Sequence, residues 1–170
     1  MIFRRHDIVM AIFLNARGFA YAAFEGHLAP VDWGMSDVRG KDKNVRCLEL
    51  VERTILRVAP DLLILRSPGD KACFRRLRKL TTEVEGLANR LAIPAQKVSR
   101  DQINDAFSFL MPLSRYMIVE AIARNLPAFE QYVPLRRKIW QSEDRRMGLF
   151  DAAAMVLTFY QLQADSAAQE

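Results

Sequence analysis

Histidine and cysteine are scarce in this 170-residue chain, with two of each. His6 and His27 have no companions at metal-ligand spacing and read as surface or strand-end residues. Cys47 and Cys73 are too far apart for a zinc knuckle, and a lone pair in a chain of this size does not require a disulfide. Glycine is also sparse, at seven residues. The turn Ser67-Pro68-Gly69-Asp70 is too short to be a phosphate-binding glycine loop. No apolar run reaches the length of a bilayer span: Ile8 to Leu14, after Arg4 and Arg5, is too short, and no convincing cleavage site follows it. No Cys-His or Ser-His-Asp pattern stands out, although a dispersed triad leaves no spacing to find. These absences predict a cytoplasmic protein in a reducing compartment.

Apolar residues make up 51% and charged residues 26%, the proportions of a globular protein rather than a disordered one. The 25 Lys and Arg exceed the 20 Asp and Glu by a net charge of only +5, so any nucleic-acid role depends on where the charge lies. It is concentrated in two segments. Residues 70–79 carry Lys71, Arg75, Arg76, Arg78 and Lys79 against Asp70, and residues 136–146 carry Arg136, Arg137, Lys138, Arg145 and Arg146 against Glu143 and Asp144. The rest of the chain is net negative. Brought to one side, these segments would form the footprint of a phosphate-backbone binder. Kept apart, they are a solvated helix face and a basic loop. Trp140 either stacks on an exposed base or, as such residues more often do, packs its loop against the core.

The hydrophobic pattern predicts a buried hairpin over 7–14 and 18–25, turning at Asn15-Ala16-Arg17, and a third extended segment over 28–36. Val45, Leu48, Val51, Ile55 and Val58 recur at helical spacing up to Pro60. Leu62-Leu63-Ile64-Leu65 is a continuous apolar run, the form of a strand covered on both faces. A second helix runs from Lys71 to Ala92, and a short strand lies within Ile93 to Ser99. Ser99 caps a helix over 101–110, and Ser114 to Asn125 forms another. After the irregular basic stretch 132–140, Ser142 caps the last helix, with Glu143 and Asp144 in its first turn, where the helix dipole favours them. That helix ends near Gln163, and residues 164–170 form a frayed tail. The expectation is one α/β domain over 1–163, a mixed sheet with helices on its faces and more helix than strand.

The order of these elements and three local segments resemble the ribonuclease H-like superfamily, most closely the RuvC-type Holliday-junction resolvases. Ile12-Phe13-Leu14-Asn15-Ala16-Arg17-Gly18-Phe19-Ala20-Tyr21 is similar to that family's opening strand and turn. Pro60-Asp61-Leu62-Leu63-Ile64-Leu65 looks like its central strand, and Phe150-Asp151-Ala152-Ala153-Ala154 like its C-terminal helix. The resemblance implies a nuclease in which carboxylates from these three elements hold two Mg²⁺ ions that activate water and stabilise the leaving oxygen. Here the corresponding positions carry Phe13, Arg66 and Gly148, and only Asp151 matches the catalytic acid. Each missing carboxylate removes a hard anionic ligand. If Asp144 and Asp151 share one helix, they lie about 10.5 Å apart along it and cannot hold the same ion.

The resemblance therefore implies a degenerate site with no metal or cofactor, retained for nucleic-acid binding or protein interaction. In it, Asp151 pairs with Arg66 as a salt bridge. DNA or RNA contacts fall to Arg75, Arg76, Arg78, Lys79, Arg136, Arg137 and Lys138, and a homodimer remains an open alternative. Two other readings stand beside this one. The first is an active Mg²⁺- or Mn²⁺-dependent structure-specific nuclease recruiting acids such as Asp7, Glu25, Asp37 or Asp70. The second is a structural or oligomerisation domain with no nucleic-acid role.

Overall fold

A computed structural model describes residues 8–69, 71–109, 114–138 and 140–169. Candidate residues His6, Asp7 and Asp70 lie outside them. The chain opens with β1 (Val9–Leu14), β2 (Gly18–Phe24) and β3 (Pro30–Asp37), an antiparallel meander. The first turn is closed by Asn15, whose Oδ1 accepts hydrogen bonds from the Arg17 and Gly18 amides at 2.9 and 3.0 Å. Gly18 is required by close approach, because a Cβ there would collide with the Ser36 carbonyl of β3.

Helix α1 (Lys43–Val58) then leads to β4 (Leu62–Arg66), which pairs parallel to β1. A 3₁₀ turn (Ala72–Phe74) precedes α2 (Arg75–Arg90), which crosses to the parallel edge strand β5 (Ala95–Val98). The sheet order is β3-β2-β1-β4-β5. The C-terminal part comprises α3 (Arg100–Ala106), α4 (Arg115–Asn125), a 3₁₀ segment (Pro127–Tyr132) and α5 (Met147–Ala168).

Side chains alternate across the sheet and build two cores. Met10, Ile12, Tyr21, Leu63 and Leu65 face Val51 and Ile55 of α1 and Leu80 and Val84 of α2. Val9, Ala11, Phe24, Leu62 and Ile64 face α4, Phe129 and α5. Burial on both faces explains why β1, β2 and β4 read as nearly unbroken apolar runs. The mixed α/β sheet and the excess of helix over strand agree with the expectation.

Several boundaries differ: α2 starts at Arg75 rather than Lys71, α3 ends at Ala106 rather than running to 110, and both ends of α5 shift. Ser142 does not cap α5: it is exposed, and the helix starts at Met147 with no acid in its first turn. Asp144 instead accepts from the Arg146 amide at 2.9 Å, making an Asx turn that feeds the helix, while Glu143 is drawn to Arg115. The segment expected to fray is helical through Ala168, consistent with the good helix formers Ala and Gln within it. Among the described residues, no helix is long and apolar enough to cross a membrane.

Candidate functional site

Because β1 and β4 are parallel, their carboxyl ends open at the same edge of the sheet, as the ends of such strands do around ligand crevices. A cleft of about 760 Å³ lies there. Its lining includes the ends of β1, β4 and β3, the start of α5, Arg115 of α4 and Arg100 of α3. Phe13, Arg66, Gly148 and Asp151 all line it, so the four positions singled out in the sequence do converge.

Ile12 pairs with Leu65, which puts Phe13 and Arg66 at neighbouring strand ends. Arg66 Cζ sits 5.5 Å from the Phe13 ring centroid, a cation–π contact where the resemblance places two carboxylates. Burial lowers the proton affinity of Arg66. Asp151 opposes this shift, and Arg100 and Arg115 add to it.

Asp151 is mostly buried, at 15% side-chain exposure, but its partner is Arg115 rather than Arg66. Arg115 Nε donates to Asp151 Oδ1 at 3.1 Å and Nη2 to Oδ2, while Nη1 pairs with Glu143. The expected Asp151–Arg66 bridge is thus corrected: α4 lays its first residue across the start of α5, and Arg66 turns onto Phe13. The remaining acids of the cleft are also matched. Arg146 pairs with Asp144 and holds its carboxyl below the usual carboxylate range, and Arg145 lies 3.7 Å from Asp37. Arg17, in the first turn, donates to the Glu143 carbonyl at 2.7 Å and fastens this segment to the hairpin. The separation expected of Asp144 and Asp151 along one helix does not apply, because Asp144 lies before α5.

These residues do not fit a pair of divalent cations. Among the described residues, five arginines line the cleft with four acids, and each of those acids already faces a guanidinium. Among the described residues, no group of three or more His, Cys, Asp or Glu is placed to hold a metal ion. Gly148 leaves little room for a carboxylate, since a Cβ there would sit 3.2 Å from Asn15 Nδ2 and 3.3 Å from Ala20 Cβ. Asn15 is pinned by its turn and Ala20 by the sheet. Gly148→Asp is therefore expected to destabilise the fold by about 1–3 kcal/mol through overpacking. Thermal unfolding checks this, and an unchanged midpoint would mean that the start of α5 shifts freely.

The basic segments divide in use. Arg76 donates to Asn44 Oδ1 at 2.8 Å and to the Asn15 carbonyl at 3.1 Å, and Arg78 donates to the Gly69 and Lys71 carbonyls. Both tie loops together, whereas Arg75 and Lys79 are exposed. Arg136 lies over the Tyr116 ring and 3.4 Å from Glu120, and Arg137 donates to the Gln141 carbonyl. Lys138 Nζ is 5.3 Å from the Trp140 ring centroid, and Trp140 is 78% exposed, so it does not pack its loop against the core. Arg136 and Arg137 line a second hollow of about 490 Å³ that shares Ser114, Arg115, Glu143 and Asp144 with the main cleft. The cleft's opposite wall includes Phe74 and Leu77 beside the α2 cations. Sequence reasoning missed Arg115 and Arg100. No local signal marks Arg115 beyond its place directly after the capping Ser114.

No protein-family model matches the sequence, and no curated protein does. Solved structures do match in shape. Thermus thermophilus RuvC in complex with a Holliday junction substrate aligns at a TM-score of 0.68 and 13% identity, over 94% of this chain and 97% of that one. The yeast mitochondrial Holliday junction resolvase aligns at 0.68 and 14%, over 96% and 81%. The fowlpox virus resolvase aligns at 0.55 and 12%, over 92% and 99%. The chain therefore shares the fold of RuvC and other Holliday junction resolvases, a mixed five-stranded sheet with helices on its faces.

Proposed function

We propose that this RuvC-fold protein binds nucleic acid without cleaving it. The observation that carries the reading is the clamp of Arg115 on Asp151, the one acid at a position where the resemblance wants one. A carboxylate held by a guanidinium fork and lying within the field of Arg66 is a poor ligand for Mg²⁺ or Mn²⁺. The surrounding arginines suit phosphates, and two of the structurally similar proteins are solved with Holliday junction DNA. The outer contacts fall to Arg75, Lys79, Arg136, Arg137 and Lys138, long cations suited to phosphates rather than base edges. Arg76 and Arg78 contribute mainly by holding the loops beside them.

The test uses labelled four-way junction, duplex and single-stranded DNA with millimolar Mg²⁺ or Mn²⁺. The expected result is binding that weakens steeply with salt and leaves every substrate intact. Replacing Arg75 and Lys79 with Ala should weaken all three probes and reduce the slope of log affinity against log salt by up to roughly two units. Cleavage that disappears in Asp151→Asn would establish a nuclease instead. Absence of binding at low salt would leave a structural or protein-interaction role.

A further inference from the structure

Among the described residues, all four acids lining the cleft are committed to arginines, but the arginines are not all committed to acids. Arg145 lies by the Asp37 carboxylate, Arg115 spans two carboxylates, and Arg17 is held by the Glu143 backbone carbonyl. Arg66 and Arg100 remain. Among the described residues, neither side chain has an ion pair or a hydrogen-bond partner, and both line the cleft beside Arg115.

Arg66 is the more telling of the two. It is half-buried, its guanidinium is fixed over the Phe13 ring, and it carries five N–H donors. No fully buried side-chain nitrogen among the described residues lacks a partner, so the unmatched donors of Arg66 are open to the cleft rather than sealed in the core. A partly desolvated guanidinium with an open face is matched by an anion with two or more acceptor oxygens in one plane. Arg100, at the first turn of α3 and exposed, adds a second cation to the same cavity.

We propose that Arg66 and Arg100 grip a backbone phosphodiester of the bound nucleic acid directly, with no divalent cation between protein and phosphate. This deepens the proposed function and rests on it. Two cations, Arg66 held over the Phe13 ring and Arg100 exposed in the same cleft, supply the charge that a metal would otherwise supply, and among the described residues no carboxylate of the cleft is left unpaired to activate water.

The experiment measures binding of a labelled four-way junction by anisotropy, in EDTA and in millimolar Mg²⁺, across a salt series. Wild-type affinity should agree within about twofold between the two conditions at matched ionic strength. Arg66→Met should weaken binding by about tenfold, and Arg100→Ala by several-fold, each lowering the salt slope by about one unit. Arg66→Met is checked for folding by thermal melting. If it fails to fold, Arg100→Ala, at an exposed site, carries the test. Competition with inorganic phosphate and with a mononucleotide separates a free-phosphate site from one built for a polymer. Displacement of the junction only by oligonucleotide supports the proposal, and tight binding of phosphate alone overturns it. Binding that requires Mg²⁺, or that is unchanged in both variants, overturns it while leaving the proposed function standing. Wild-type protein that binds no DNA removes both.

Discussion

Phe129→Ala is expected to cost about 3–5 kcal/mol, the largest single-residue effect anticipated here. Phe129 is fully buried on the 3₁₀ segment after α4, and its ring contacts three others. Phe24 of β2 stacks at 6.3 Å between centroids, Trp33 of β3 lies at 5.1 Å and Phe150 of α5 at 6.1 Å. One side chain thus joins two strands, the start of α5 and the segment leading from α4. Truncation leaves a cavity that a sheet and a helix cannot easily close, and it removes three aromatic contacts worth about 0.5–1.5 kcal/mol each beyond burial. For a domain of this size the unfolding midpoint should fall by roughly 6–20 °C. Phe129→Leu should fall less, because most of the volume stays. A loss below about 1 kcal/mol for Ala would show that the region collapses onto the gap, contrary to the packing described.

The consequence reaches the cleft, because Phe150 precedes Asp151 and the 3₁₀ segment follows the helix that carries Arg115. Loosening Phe129 should therefore weaken DNA binding as well as stability. A variant that melts early yet binds normally would separate the two.

What the sequence disclosed was whatever local pattern controls. Continuous apolar runs marked β1, β2 and β4, since strands buried on both faces need no polar alternation. Ser99 was legible as a cap, and its side chain accepts the expected amide bond, while Ser114, read only as the first residue of its helix, caps α4 in the same way. Ser142-Glu143-Asp144 offered the same local pattern and was misread, because its acids are satisfied by Arg115 and Arg146 rather than by a helix start. Nothing within a few residues distinguishes these outcomes. The convergence of Phe13, Arg66, Gly148 and Asp151 was legible through the resemblance, since parallel strand ends must share an edge. The partner of Asp151 was not, because Arg115 is 36 residues away and reaches it only through the packing of α4 on α5.

That misassignment yields the second large effect. Arg115→Gln should destabilise the protein by about 2 kcal/mol, between the small worth of exposed pairs and the 3–5 kcal/mol of buried ones. Arg115 is 40% exposed and Glu143 45%, which limits the loss, while Asp151 at 15% is left as a nearly buried charge without its fork. The midpoint should fall by roughly 4–8 °C. A double-mutant cycle with Asp151→Asn isolates the contact, since removing the stranded charge should recover part of the loss and give a coupling of about 1–2 kcal/mol. The same cycle between Arg66→Met and Asp151→Asn should show the smaller coupling, because Arg66 influences Asp151 through space without a hydrogen bond. If the couplings were reversed, Arg66 would be the true counter-ion of Asp151, its guanidinium would not be left open to the cleft, and the phosphate grip assigned to Arg66 would have no basis.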